Sequence, residues 1–352
     1  MVILERESQP GYHTTGRSAA LYIETYGNAM MRALTVASGP FLRAPPAGFA
    51  EHPILTPRGV VFVARADQSQ LAQASYAEGA ALTPSVRLLT CAEVLALCPI
   101  LRPQAAASGV LEPDAMDIDV HALHRGYLRG ARAQGAELVT DADVTAIERV
   151  SGGWRIVTRA GEFRAARIVN ASGAWADEIA RMAGIQPIGL IPKRRTAITF
   201  DAPAGATVSK WPAIGAIDET WYFKPDAGRI LASPADETPM PPCDVQPDEI
   251  DIATVVERVE AATTLTIARL AAKWAGLRSF VADRTIVMGA DPREPSFFWL
   301  AGQGGYGIQT SAATGQAIAA LLDSGELPEA LRALGVSARD LSPARLPAHS
   351  RN

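Results

Sequence analysis

Gly302-Gln303-Gly304-Gly305-Tyr306-Gly307 spells G-x-G-x-x-G, with the apolar run Ser296-Phe297-Phe298-Trp299-Leu300-Ala301 before it and a segment of helical spacing after it. Glycines let backbone approach a ligand closely, and a helix N-terminus offers unpaired N–H groups and partial positive charge, so the motif suits a cradle for negative charge on a bound molecule. A dinucleotide-binding βαβ unit needs more chain than Gly307 to residue 352 provides, which argues against the standard form of such a site here. A tight strand-to-helix turn with no ligand explains the same glycines. A second place of close approach is Arg167-Ile168-Val169-Asn170-Ala171-Ser172-Gly173, an apolar strand pattern running into small residues ahead of a helix over 174–183. Glu5 closes the apolar stub Val2-Ile3-Leu4, where a nucleotide-binding sheet places the acid that holds a ribose, although a solvated strand-end glutamate reads the same way. His13-Thr14-Thr15-Gly16-Arg17-Ser18-Ala19-Ala20 brings hydroxyls, a glycine and an arginine to a helix start, suited to a pyrophosphate or to an ordinary cap.

These groups need elements to hold them. Pro40, Pro45, Pro46, Pro53 and Pro57 punctuate one stretch, after which 59–64 reads as a strand. The spacing predicts a helix over 119–134, strands over 137–150, 154–158 and 162–170, further strands over 196–200 and 221–231, a helix over 249–261, a strand over 293–301 and a helix over 307–322. The polar tail after Leu341 reads as loose. This interleaving predicts an α/β fold. One Rossmann-like nucleotide-binding domain is built from 1–40, 115–190 and 270–335, a strand-rich α+β substrate-binding domain from 41–114 and 191–269, and 336–352 is the tail.

Composition narrows the class. Of 352 residues, 48% are hydrophobic and 20% charged, enough apolar surface for a packed interior. A formal charge of -4 leaves no basic excess for a nucleic-acid backbone. Cys91, Cys98 and Cys243 match neither a zinc site nor a disulfide framework, which suits a reducing compartment. The opening Met1-Val2-Ile3-Leu4 is too short for a signal peptide, and no apolar run approaches ~18 residues, so we expect a cytoplasmic protein without integral membrane contact or metal.

Taken in order, LERESQPGYHTTGRSAALY, ASGPFLRAPPAGFAEHP, DIDVHALHRGYLRGAR, IVNASGAWADEIA, LIPKRRTAITF, WYFKPDAG, DVQPDEIDIAT, KWAGLRSFVAD and QGGYGIQTSAA resemble the D-amino-acid oxidase superfamily of FAD enzymes, specifically its D-arginine dehydrogenase-like branch. The resemblance spans nearly the whole chain. It implies that Glu5 holds the adenosine ribose with Arg6 also at the cofactor, that Gly16, Arg17, Ser18 and Ala19 line the pyrophosphate and flavin, and that Val144 meets the adenine through its backbone. Ala171, Ser172, Gly173 and Gly276 would approach the dinucleotide, and Gly304, Gly305, Tyr306, Gly307, Ile308, Gln309 and Thr310 would face the flavin. Arg195, Tyr222 and Arg278 match positions that bind the substrate carboxylate, with Arg278 also beside the cofactor, and Tyr26, Val60 and Gln309 match further pocket positions. Two arginines and a tyrosine can fix a carboxylate in a fork so that Cα–H points at flavin N5. Taken singly, Arg194-Arg195 reads as solvated surface and Arg278 as a structural ion pair.

The chain departs from that pattern. Such enzymes open with a strand and a G-x-G-x-x-G loop, about 27 residues that the resemblance implies ahead of Met1, so a chain starting here is expected to hold FAD poorly. A misplaced start or a shortened, inactive chain accounts for it. Val60 stands where arginine-preferring relatives carry a glutamate, Leu21 and Ile23 replace histidine and threonine, and Ala213 and Gly215 replace bulkier residues. The expected activity is therefore oxidative deamination of apolar or aromatic D-amino acids in preference to D-arginine, because a cationic side chain would be buried without a partner. Secondary amines such as sarcosine, or 2-hydroxy acids, are the alternatives. No catalytic base is assigned: His52 is a candidate that also reads as a turn residue, and the electron acceptor is open.

Overall fold

The computed structural model describes residues 1–347. In chain order its strands and longer helices are β1 (Val2–Leu4), β2 (Leu21–Tyr22), α1 (Ala29–Arg43), β3 (Leu55–Pro57), β4 (Val60–Ala64), α2 (Ser69–Leu82), β5 (Arg87–Thr90), α3 (Cys91–Leu97), β6 (Ser108–Glu112), β7 (Met116–Ile118) and α4 (Val120–Ala133). Next come β8 (Glu137–Val139), β9 (Val144–Val150), β10 (Gly153–Thr158), β11 (Gly161–Ala165), β12 (Ile168–Asn170), α5 (Ala176–Met182), β13 (Ile191–Asp201), β14 (Ala213–Ala216), β15 (Tyr222–Asp226), β16 (Arg229–Ser233) and β17 (Thr238–Pro239). The last are α6 (Glu249–Ala262), β18 (Ala272–Phe280), β19 (Val287–Ala290), β20 (Phe297–Ala301), α7 (Ser311–Asp323), α8 (Glu329–Ala333) and α9 (Ala338–Leu341).

Among the described residues three strand pairs are parallel: β1 with β8, β12 with β20, which continues antiparallel into β19, and β4 with β14. The short β2, β7 and β3 form an antiparallel trio. The largest sheet has nine strands, in the order β17-β13-β16-β15-β14-β4-β6-β5 with β18 also on β13. It gathers residues 60–112 and 191–280 into one layer, which explains why these two stretches read as strand-rich. Its Val61, Val63, Ile214 and Phe223 face α6 and the main core with Val255 and Val259.

Several expectations need correction. Pro40 reads as punctuation, but α1 runs through it to Arg43. The carbonyl of Val36, which an N–H at position 40 would bond, lies on the exposed side of the helix, and Met31, Leu34, Thr35, Ser38 and Leu42 supply a buried face that outweighs one lost bond. No helix starts at 13–20, where the chain forms a turn. α7 begins at Ser311, so 302–310 is a looped turn and not the immediate entry to a helix. The tail that reads as loose is packed over 336–347: Val336 and Leu341 are buried, and Arg345 bonds Asp283 at 2.8 Å and the Thr285 carbonyl at 2.6 Å. Residues 348–352 of that tail lie outside the described ones.

Two glycines of α4 give opposite expectations. A Cβ at Gly126 would lie 2.5 Å from the Phe49 ring and 2.7 Å from its carbonyl oxygen, whereas one at Gly130 meets nothing within 4 Å. Alanine is worth up to ~1 kcal/mol over glycine in a helix interior. Thermal unfolding should therefore show Gly130→Ala raising Tm and Gly126→Ala lowering it; a higher Tm for both would mean that α4 is not seated on Phe49 as described.

Candidate active site

The large sheet positions the site through its pleat. On four neighbouring strands, Tyr222 of β15 lies opposite Gly215 of β14, Gly215 opposite Phe62 of β4, and Phe62 opposite Val110 of β6. Two residues along, Ala213, Val60 and Glu112 form the adjacent row. Directly paired residues share a face, so both rows point the same way and floor one cavity. Gly215 is small for a reason: a Cβ there would sit 3.1 Å from the Phe62 ring. Val60, Ile23, Ala115 and Ala213 are buried together, with Leu21, Tyr26 and Phe62 against them.

β13 and β18 pair over nine residues, with Arg195 opposite Gly276. Arg278 is two residues from Gly276, so Arg195 and Arg278 are diagonal neighbours on one face. Arg194, one residue off, turns to the other side, where Asp251 lies at 2.9 Å and Asp248 at 3.5 Å. Period-two alternation thus separates the structural arginine from the site arginine.

Arg195 donates from Nε to the Asp236 carbonyl at 2.9 Å and lies 3.6 Å from Glu237. Burial and the neighbouring Arg278 hold its guanidinium below the ordinary range. Burial also works against the charge of Arg278, yet Tyr26 and Tyr222 keep it above its ordinary value. Tyr222 responds in turn: burial would raise its phenol, but Arg278 and Arg195 together bring it down. The result is a concentration of buried positive charge with little carboxylate to balance it, as an anionic ligand requires.

Two cavities meet at this point. The larger, about 710 Å³, is lined by Ile23, Tyr26, Val60, Phe62, Glu112, Tyr306 and Gln309 among others. The smaller, about 340 Å³, is lined by Thr14, Thr15, Arg17, His124, Tyr127, Ala171, Gly173, Gly276, Gly304, Gly307 and Ser311 among others. Ser18, Ala19, Arg195, Tyr222, Arg278 and Gly305 border both. Gly305 is the thin part of that wall, since a Cβ would come within 2.9 Å of the Arg278 guanidinium. Gly304 lies as tightly on Phe280: its φ is +54°, and a Cβ there would come 2.4 Å from the ring. Backbone strain gathers at the larger cavity: Glu219, Ala235 and Arg284 all have φ near +56° and line it.

The structure distributes the sequence-predicted residues unevenly. Tyr26, Val60, Tyr306 and Gln309 come together at the larger cavity, and Ala171, Gly173, Gly276, Gly304 and Gly307 at the smaller, with Ser18, Ala19, Arg195, Tyr222, Arg278, Gly305 and Ile308 at both. Arg17 borders the smaller cavity, but its guanidinium is taken up by Asp244 at 2.5 Å and by the Val245 and Ala275 carbonyls. Glu5, Arg6, Gly16, Val144, Ser172 and Thr310 line neither cavity. Glu5 accepts the Glu7 N–H, Arg6 lies over Trp175 and 3.6 Å from Asp143, and Ser172 donates to Asn170. A Cβ at Gly16 would meet the Gly11 carbonyl at 2.6 Å, and the Thr310 hydroxyl bonds the Tyr306 carbonyl. His52 is exposed and lines neither cavity. Sequence reasoning misses Glu112, Glu237, His124, Tyr127 and Ser311.

A family model described as DAO, FAD dependent oxidoreductase, matches residues 1–321. The chain belongs to this family. Glycine oxidase from Geobacillus kaustophilus (strain HTA426) is 26% identical over 277 residues, 75% of this chain and 66% of that protein. Mouse mitochondrial dimethylglycine dehydrogenase is 30% identical over 140 residues, 39% of this chain and only 16% of that protein. Among solved structures, Geobacillus kaustophilus glycine oxidase aligns with a TM-score of 0.83 at 21% identity, covering 99% of this chain and 92% of that one. L-proline dehydrogenase from P. horikoshii aligns at 0.82 and 18%, covering 98% and 90%. At such identities the structural likeness establishes the fold alone.

FAD is the cofactor of this family, and the smaller cavity suits part of it, while Glu5, Arg6 and Val144 lie outside that cavity. The Tyr127 and Ser311 hydroxyls are buried there without a well-formed hydrogen bond, and a Cβ at Gly173, whose φ is +60°, would project into open space. Buried polar atoms of this kind await a partner. Among the described residues no cluster of acidic, histidine or cysteine side chains could hold a metal, and no helix is long and apolar enough to cross a membrane.

Glu237 gives this site a pH signature. Its carboxylate receives Arg284 at 2.8 and 2.9 Å and Lys193 at 2.9 Å. Arg284 foremost, against burial, brings it down to about 2. The unfolded value is ~4.3, so the folded form's is depressed; the stabilisation is complete above ~4.3 and fades as pH falls toward the folded value. The Tm deficit of Glu237→Gln relative to the unmodified protein should narrow as pH is lowered from 5 to 3. A deficit that stays constant over that range would rule out this carboxylate as the titrating group.

Proposed function

We propose that this protein oxidises free amino acids of D configuration at Cα, the substrate carboxylate lying between Arg195, Tyr222 and Arg278. One observation carries the reading: these three residues border both cavities, so a carboxylate held there sets Cα at the opening into the glycine-lined cavity. Bound FAD supplies the two-electron acceptor, at N5, for the hydride that leaves Cα. The chain's own residues fix the carboxylate in a fork, exclude water beneath Tyr26 and Tyr306, and receive the side chain against Val60, Ile23 and Ala213. The imino acid then takes up water to give the 2-oxo acid and ammonia. Among the described residues no histidine lines the larger cavity, so the amine reaches the site neutral or loses its proton to solvent.

The apolar row supports an apolar or aromatic side chain over D-arginine, within a D-arginine dehydrogenase-like branch. A second reading, oxidation of a secondary or tertiary amine, is supported by the relative named for dimethylglycine dehydrogenation. Products separate the two: ammonia and a 2-oxo acid for the first, a smaller amine or a cyclic imine for the second.

A panel of kcat/KM values with FAD supplied should rank D-phenylalanine and D-leucine above D-arginine; D-arginine at the top would overturn the preference. Arg278→Gln removes a charge-assisted bond worth ~1.5–3 kcal/mol, so kcat/KM should fall roughly 10- to 100-fold on every amino acid alike. An unchanged value would remove Arg278 from carboxylate binding.

A further inference from the structure

The sequence predicts an uncharged pocket because Val60 replaces a glutamate. The sheet register restores a carboxyl one strand away: Glu112 lies directly opposite Val60, on the same face and in the same cavity. It is 3% exposed and has no cationic partner among the described residues. Its Oε1 accepts the Glu24 N–H at 3.0 Å, and its Oε2 accepts the Thr25 hydroxyl. Burial pushes it above the usual carboxylate range.

A carboxyl has about four acceptor sites, and two are filled here. The Glu24–Thr25 clamp occupies one site on each oxygen and leaves one on each. Burial favours the uncharged acid, which offers a guanidinium no compensating charge but still bonds a neutral donor. The surroundings are apolar and aromatic: Val60 and Val110 are its neighbours on the sheet face, and Ile23, Phe62, Tyr26 and Tyr306 line the same cavity, the two tyrosine rings 4.9 Å apart. From Tyr222 to Glu112 is three strand spacings across and two residues along, ~16 Å between backbone positions, a span that a ring-bearing ligand can bridge with both side chains reaching toward it.

We infer that Glu112 is a specificity-determining residue, and that the preferred substrates carry an aromatic side chain ending in one neutral hydrogen-bond donor, such as a phenol. This deepens the reading above and rests on its carboxylate anchor.

Two ligands that differ by one hydroxyl test it without turnover: 3-phenylpropanoate and 3-(4-hydroxyphenyl)propanoate, titrated calorimetrically into the FAD-supplied protein. The hydroxylated ligand should bind about tenfold more tightly to the unmodified protein, as one hydrogen bond to a buried acceptor gives. Glu112→Gln, which keeps an acceptor and a donor in place, should retain that ranking; Glu112→Leu should level it. Equal affinity of both ligands for the unmodified protein, or a preference that survives Glu112→Leu, would overturn the role of Glu112 while leaving the carboxylate anchor intact. Should Glu112→Leu not fold, Glu112→Met makes the same comparison, and a hydroxyl preference that survives it overturns the role of Glu112 equally. Binding of neither ligand would sink the anchor, and this inference with it.

Discussion

Two half-buried guanidiniums side by side are the constraint around which this molecule is arranged. Arg195 and Arg278 repel one another in a place that water barely reaches, and each would rather be solvated. The fold holds them by making the β13–β18 pair its longest ladder, so that neither strand can relax away from the other. The Asp236 carbonyl, the Tyr26 and Tyr222 phenols and a shared edge of Glu237 offset part of the repulsion. Glu237 itself is divided among Lys193, Arg284 and Arg195, so a surplus of positive charge remains where the cavities meet. On the function proposed above, an incoming carboxylate supplies what the protein withholds.

How much of this is legible in the sequence depends on the range of the interaction. Local periodicity marks β4, α4 and the strand into Ala171-Ser172-Gly173, because each is decided by which neighbouring residues are apolar. The same periodicity leaves out the first five residues of β13, where Ile191-Pro192-Lys193-Arg194-Arg195 carries too much charge to look like a strand. The charge belongs there because one arginine faces α6 and its acids while the next faces the cavity, a distinction that needs the partner elements. Assignment of Arg195, Tyr222 and Arg278 to one place comes from resemblance, not from spacing.

Glu112 shows the limit most clearly. Nothing within the run Ser108-Gly109-Val110-Leu111-Glu112 tells that its last residue enters a ligand cavity. That follows only from the register with Val60, some fifty positions earlier, and register is a property of two strands. α2 is likewise invisible to periodicity, since Ala72 and Gly79 are its only buried residues and its apolar stripe is weak.

The wall between the cavities is backbone, with Gly305 lying against Arg278 and no room for another atom. Ala213, Val60 and Glu112, by contrast, sit on strands removed from it and can change size or polarity without moving the arginines. On the function proposed above, substrate choice and redox geometry are therefore mechanically uncoupled in this scaffold. The side-chain pocket would be free to drift from one residue type to another while the point where a carboxylate meets its oxidant stays fixed.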